Sequence, residues 1–227
     1  MNVAIVVAAG KGTRIGGNRP KQFLELGGIP IIIHTLRRFE QCDAINEVIV
    51  VLPADATAGF VSLAEKFGLR KVSQAVAGGA TRAQSVLRGL NAISNAEIVA
   101  VHDGVRPFVT PDEIDRVMEA ARESGAAVLV SPVSDTIKEI ADGSVARTLP
   151  RANLRRALTP QCFRFDVLKR AYDRLGELEA EGIEVTDDSL LVERLGLKIT
   201  AVEGSVSNIK ITQEEDLALA EMLLRQF

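Results

Sequence analysis

Short runs of β-branched and other apolar residues alternate with amphipathic stretches along the chain, the pattern of a parallel sheet covered on both faces. It predicts strands at residues 3 to 8, 47 to 52, 97 to 102, 126 to 131 and 198 to 203. Between them Phe60, Leu63, Ala64 and Phe67 repeat at i, i+3, i+4 and i+7, as do Ile114, Val117, Met118 and Ala121, which predicts helices turning these residues to the core. A further helix carries Val86, Leu87, Leu90 and Ile93. Thr110 and Glu113 form a capping box with Pro111 at the first helical position, and Thr212 with Glu215 predicts another before the last helix.

The segment from Thr136 to Leu149 breaks this rhythm. Two short strand-like runs flank Ala-Asp-Gly-Ser at 141 to 144, and Asp142-Gly143 is a hairpin turn signal, so a β-arm is predicted as an insertion near 134 to 152. A two-stranded ribbon is marginal alone in water, so the arm should pack on its own domain or on a second subunit. No repeat, low-complexity tract or linker divides the rest.

The composition, 47% hydrophobic and 25% charged, supports a large buried core and argues against disorder. Lys and Arg total 27 against 30 acidic residues, a net charge of −3 with no long basic run, which disfavours a nucleic-acid scaffold. Cys42 and Cys162 stand far apart with no C-x-x-C pair, so a reduced, cytoplasmic protein without a disulfide framework is expected. The apolar start Val3 to Ala9 is short and runs into Gly10 and Lys11, a poor signal peptide, and no run reaches the length of a membrane span. With His34 and His102 the only histidines, a mechanism using several imidazoles is excluded.

After the first strand comes GKGTRIGGNRPKQF at 10 to 23, a glycine-rich turn bunching Lys11, Arg14, Arg19 and Lys21. Gly10 and Gly12 let backbone N–H groups approach an anion, and open α/β sheets bind ligands beyond the carboxyl ends of their strands. A dinucleotide fingerprint from Gly10 needs glycine at 15 and meets Ile15; a phosphate-binding P-loop from Gly12 needs lysine after Gly17 and meets Asn18. What remains is a turn with a cationic rim, either a plain glycine turn with solvated charges or a phosphate cradle. Nucleotidyl transfer suits the second, because it needs chiefly positioning and charge stabilisation at a crowded phosphorus. There Arg14 can fork two hydrogen bonds to phosphate while Lys21 supplies a point charge.

This run resembles the signature loop of the sugar-phosphate nucleotidyltransferases, and in particular of the 2-C-methyl-D-erythritol 4-phosphate cytidylyltransferases of non-mevalonate isoprenoid synthesis. Six further matches follow in the family's order: GGATRAQSV at 78 to 86, VHDGVRPF at 101 to 108, DTIK at 135 to 138, ALTPQ at 157 to 161, TDDS at 186 to 189 and EGSVSNIKIT at 203 to 212. The resemblance implies one α/β nucleotidyltransferase domain over 1–227, with a Rossmann-like, mostly parallel sheet. It implies transfer of CMP from CTP to methylerythritol 4-phosphate, with release of pyrophosphate and a need for Mg²⁺. Arg14 and Lys21 would stabilise charge at the α-phosphorus, and Arg151 and Lys210 would position the attacking phosphate. Nucleotide recognition would fall to Ala8, Ala9, Gly10, Gly12, Gly78, Gly79 and Ala80, with Arg82 and Ser85 assisting and Asp103 holding the metal. Arg106, Thr136, Thr159, Thr186 and Asp187 would contact the sugar phosphate. Homodimers with interlocking β-arms are implied, so Thr136 and Arg151 would serve the neighbour's site.

Taken alone, several of these residues have a plainer reading. Asp103 also suits a turn cap and His102 a packing residue at a strand end. Ser85 can bond a carbonyl within its helix, and Arg82 can be an exposed charge. Lys210, between Ile209 and Ile211, reads as the solvated side of a strand, and Thr186, Asp187 and Asp188 as a helix start. Relatives often carry an acid where this chain has Ala80. Ribitol-5-phosphate cytidylyltransferases share much of the pattern and are the nearest alternative; a non-catalytic nucleotide-binding module is another.

Overall fold

The computed structural model of the chain describes residues 1–10 and 20–226. In order these form β1 (Val3–Val7), β2 (Glu25–Leu26), β3 (Ile29–Pro30), α1 (Ile31–Glu40), β4 (Glu47–Leu52), α2 (Phe60–Lys66), β5 (Val72–Ala77), α3 (Arg82–Asn91), β6 (Ile98–Asp103), α4 (Pro111–Ser124) and β7 (Ala126–Pro132). There follow β8 (Lys138–Ala141), β9 (Ser144–Thr148), β10 (Arg155–Arg164), α5 (Phe165–Tyr172), α6 (Leu175–Ala180), α7 (Asp188–Glu193), β11 (Thr200–Glu203) and α8 (Glu214–Leu224). The main sheet runs β11-β7-β10-β6-β1-β4-β5. It is parallel except at β10, which is antiparallel to both β6 and β7.

Side chains alternate across the pleat. Ala4 and Val6 of β1 join Val48, Val50 and Leu52 of β4 under α1, α2 and α4, whereas Val3 and Ile5 join Ile49 and Val51 on the face covered by α3, α5, α6 and α7. A smaller cluster of Leu26, Ile31, Phe108, Ile211 and Ala220 seats α8 beside β2 and β3.

The reversal of β10 matters for function. Gln161 pairs with Val101 and Arg164 with Ile98, so the residues before Gln161 rise towards the carboxyl end of β6. Thr159 and Gln161 are thereby delivered to the edge where β1 and β6 end. Pro160 sits where the ladder with β7 shifts register between Ala157 and Gln161, a bulge that tolerates the missing N–H inside an inner strand.

The predicted strands at 3–8, 47–52, 97–102 and 126–131 are found within one residue at each end, and the fifth shortens to Thr200–Glu203. The Thr110–Glu113 box forms, with reciprocal bonds of 3.2 and 2.8 Å. The second box is displaced by one residue: Asp216, not Glu215, accepts the N–H groups of Thr212 and Gln213 at 2.8 and 3.0 Å. Residues 208–211 form no strand. Leu63 is not a core residue: it is 38% exposed while Phe60 and Ala64 carry the packing of α2.

The arm forms as a hairpin, with Asp142 and Gly143 at φ 50 and 75°, the two positive values that a tight two-residue turn requires. Every residue of β8 and β9 is exposed, and Ile140 and Val145, directly opposed, are 59% and 60% exposed. No residue of the hairpin is therefore buried against the rest of its described chain. No described helix is long and apolar enough to cross a membrane.

Candidate functional site

Three loops meet at the carboxyl edge of the sheet and are stitched to it by backbone bonds. Ala8 donates to Val51 O at 2.7 Å, Gly78 to Leu52 O at 2.8 Å and Gly104 to Val7 O at 2.8 Å. The approach is close enough to require glycine at 78, where a Cβ would fall 2.2 Å from that of Ala9. Gln22, almost fully buried behind Lys21, donates its amide to Ala8 O at 2.6 Å and Gly10 O at 3.2 Å, tying the far end of the glycine-rich segment to the end of β1.

A cavity of about 500 Å³ opens here, lined by Ala8, Ala9 and Gly10, by Lys21, by Gly79, Ala80, Arg82 and Ser85 at the start of α3, and by Asp103 and Lys210. Gly78 sits behind that lining. The Ser85 hydroxyl accepts from Gly79 N–H at 3.0 Å and donates to Thr81 O at 2.9 Å, so it bonds within its helix and also shapes the loop. A second cavity of about 210 Å³ adjoins it, lined by Arg106, Thr159, Gln161, Thr186 and Asp187. Arg82, Asp103 and Lys210 line both cavities and form the wall between them.

That wall is a charge cluster. The Asp103 carboxylate receives Arg82 Nε at 3.1 Å on one oxygen, and Arg106 Nε at 3.2 Å and Lys210 Nζ at 3.0 Å on the other. Burial alone would raise its pKa; Arg82, Lys210 and Arg106 override that and hold it well below the usual carboxylate range. Arg82 also reaches the fully buried Asp188 at 2.9 Å. Within this cluster three cations stand against two carboxylates, one net positive charge.

His102 is a packing residue: fully buried and tilted against the Phe39 ring, with Nε2 3.1 Å from Arg106 O and Nδ1 3.0 Å from Thr159 Oγ1. Burial lowers its pKa to about 4, so the neutral ring donates from Nε2 and accepts the Thr159 proton at Nδ1. Thr159 Oγ1 in turn accepts the Asp103 N–H at 3.2 Å. Lys210, read from its neighbours as a solvated strand residue, is held instead on an extended segment anchored by Ile211 N–H to Val105 O at 3.0 Å and by Arg106 Nη1 to Asn208 O at 2.8 Å.

The predicted site residues thus gather at one edge, with these exceptions. Thr136 and Arg151 lie exposed by the hairpin and line neither cavity. Gly12 and Arg14 lie outside the described residues. Among the described residues no cluster of three or more His, Cys, Asp or Glu side chains stands ready for a metal.

The family model for 2-C-methyl-D-erythritol 4-phosphate cytidylyltransferase matches residues 2–226. The chain belongs to this family. A cytidylyltransferase of that name from Bacillus licheniformis is 41% identical over 225 residues, 99% of this chain and 96% of the relative. Another, from Bacillus velezensis, is 43% identical over 224 residues, 98% and 95% of the two chains. Among solved structures, the 4-diphosphocytidyl-2C-methyl-D-erythritol synthase of Anaerococcus prevotii superposes with a TM-score of 0.85 at 32% identity, covering 99% of this chain and 98% of that one. The cytidylyltransferase of Thermus thermophilus does so at 0.78 and 38%, covering 97% and 98%.

In this cytidylyltransferase-family chain, residues beyond the sequence prediction shape the site. Gln161 accepts the N–H groups of Asp188 and Ser189 at 3.0 Å each and donates to Asp187 Oδ2 at 2.8 Å, fixing the start of α7 beside the smaller cavity. Glu113 accepts the N–H of Ser205 and so pins the segment leading to Lys210. Tyr172 is the chain's single tyrosine, and a buried hydroxyl on an apolar helix face requires a polar partner; that signal was in the sequence.

Proposed function

We propose that this protein transfers CMP from CTP to the phosphate of 2-C-methyl-D-erythritol 4-phosphate, giving 4-diphosphocytidyl-2-C-methyl-D-erythritol and pyrophosphate, in non-mevalonate isoprenoid precursor synthesis. The observation that carries it, beside family membership, is the pair of adjoining cavities with a common wall of Arg82, Asp103 and Lys210. The larger has room and backbone polar groups for a nucleotide, the smaller for a short polyol phosphate, and the net positive wall lies where their phosphates would meet.

An oxygen of the acceptor phosphate attacks the α-phosphorus of CTP as the bond to the α–β bridging oxygen breaks, and pyrophosphate leaves with that electron pair. The acceptor is already an anion at neutral pH, so no general base is needed, and the protein's work is alignment and neutralisation. Lys21 and Arg14 would stabilise charge at the α-phosphorus. Lys210, with Arg151, would steer the attacking phosphate, and Arg106, Thr159, Thr186 and Asp187 would hold the polyol.

The donor set fits a magnesium ion carried in on the triphosphate. An ionised carboxylate offers about four acceptor positions and the three cations take three, leaving Asp103 one, as suits an ion that keeps its waters and substrate oxygens. Bound there, the ion would neutralise phosphate charge. The exposed hairpin favours a homodimer through the β-arm, with Thr136 and Arg151 serving the neighbour's acceptor cavity, and the two free cysteines favour a cytoplasmic location.

Pyrophosphate release with CTP and Mg²⁺ tests the reaction, comparing methylerythritol 4-phosphate, ribitol 5-phosphate and no acceptor. Release requiring methylerythritol phosphate is expected. Release only with ribitol phosphate reassigns the acceptor, and silence with CTP still bound removes the transferase reading. In the same assay Lys21→Ala should lower kcat by about 10²- to 10³-fold, the usual loss for one charge-stabilising donor.

A further inference from the structure

Asp188 opens α7 and is fully buried, far from where a surface cap would lie. One carboxylate oxygen accepts the Tyr172 hydroxyl at 2.5 Å, and the other accepts Arg82 Nη2 at 2.9 Å. Its backbone N–H is held by Gln161. Arg82 Nε is bonded in turn to Asp103, so the guanidinium is stretched between two carboxylates, one on the wall and one beneath it. Nη1 makes no hydrogen bond among the described residues, and Arg82 lines both cavities.

A guanidinium is planar and rigid; fixing Nε and Nη2 fixes where Nη1 points. Packing does not explain the arrangement, because a buried ion pair seldom outperforms apolar residues of the same volume. Without Asp188, nothing described would oppose the collapse of Arg82 onto Asp103 as a two-point pair, which would turn its free edge from the cavities.

We propose that Asp188, seated by Tyr172, is the positioning residue that aims Arg82 at the phosphates passing between the two cavities. Its catalytic consequence rests on the transfer reaction above. Arg82 contacts the substrates in this scheme, and Asp188 and Tyr172 act through it.

The test is a double-mutant cycle with kcat and KM measured for both substrates. Asp188→Asn should lower kcat and kcat/KM equally, by roughly ten- to a hundredfold as for other residues that orient a ligand-holding group, with KM little changed. In the Arg82→Ala background the same substitution should have no further effect on kcat. Unchanged kcat in Asp188→Asn, or losses that multiply in the double variant, would overturn the proposal. If Asp188→Asn does not fold, Tyr172→Phe, which leaves the ion pair in place, should lower kcat in the same direction by less; wild-type kcat there would also overturn it. Nitrogen-15 spectra of the arginine side chains read the positioning without turnover. A resolved Arg82 Nη signal in the wild type should merge with those of exposed arginines in Asp188→Asn, and an unchanged spectrum counts against the proposal. An inactive wild type with that spectral change would instead sink the transfer reading and leave the positioning intact.

Discussion

His102 packs at the end of β6 as its place in the sequence suggests, and its full burial changes how it titrates. Unfolded, its imidazole gains a proton near pH 6.5; folded, it resists until about 4, because burial disfavours the cation. Between those values the unfolded chain binds more protons, so stability rises with pH across the window, by on the order of 3 kcal/mol in all. Denaturant midpoints at pH 4.5 and 7.5 should show this slope, and His102→Gln, which cannot titrate, should flatten it. Asp103 acts in a lower window: its depressed carboxyl supports the fold above the unfolded value near 3.8 and loses that support as pH falls further. Gly78 gives a second residue-scale expectation. Gly78→Ala forces its new methyl against Ala9, 2.2 Å away, and should cost about 1–3 kcal/mol and raise KM for CTP as the nucleotide loop shifts. Such roles were partly legible. Arg82 and Ser85 could be named from spacing, but not that one is stretched between two acids and the other spent on its own loop, since partners more than 100 positions away, as for Arg82 and Asp188, leave no local trace.

At the scale of elements, the strands buried on both faces were readable because unbroken runs such as VAIVV and EVIVVL have no other low-energy use. Two strands of the main sheet escaped, as did the short pair β2 and β3. In β5 the polar Ser73 and Gln74 interrupt the run at an edge of the sheet, and in β10 Arg155, Arg156 and Pro160 argue against an inner strand. The displaced box before α8 has a simple cause: three adjacent acids, Glu214 to Asp216, compete for the cap, and the carboxylate that reaches both Thr212 and Gln213 wins. Helix α4 carries the clearest prediction. Glu113 serves both its capping box and the Ser205 N–H, so Glu113→Ala should cost about 2–3 kcal/mol, from a lost cap and an unpaired N–H, and loosen the segment that presents Lys210. A lowered unfolding midpoint with a raised KM for the acceptor would register both effects.

For the molecule as a whole, the hairpin with exposed Ile140 and Val145 should act as a contact between copies. Sedimentation of the wild type should report a dimer, and Val145→Glu a shift towards monomer with loss of turnover if Arg151 serves the neighbour. A final consequence belongs to the wall shared by the two cavities. Two phosphate-bearing substrates draw on one set of countercharges, so each spends attraction that the other needs. Bound together without reacting, they should oppose one another, and linkage makes the antagonism reciprocal: the factor by which a non-transferable CTP analogue weakens the acceptor equals the factor by which the acceptor weakens the analogue. Formation of the new diphosphate bond merges the two claims into one, and departure of pyrophosphate ends the competition.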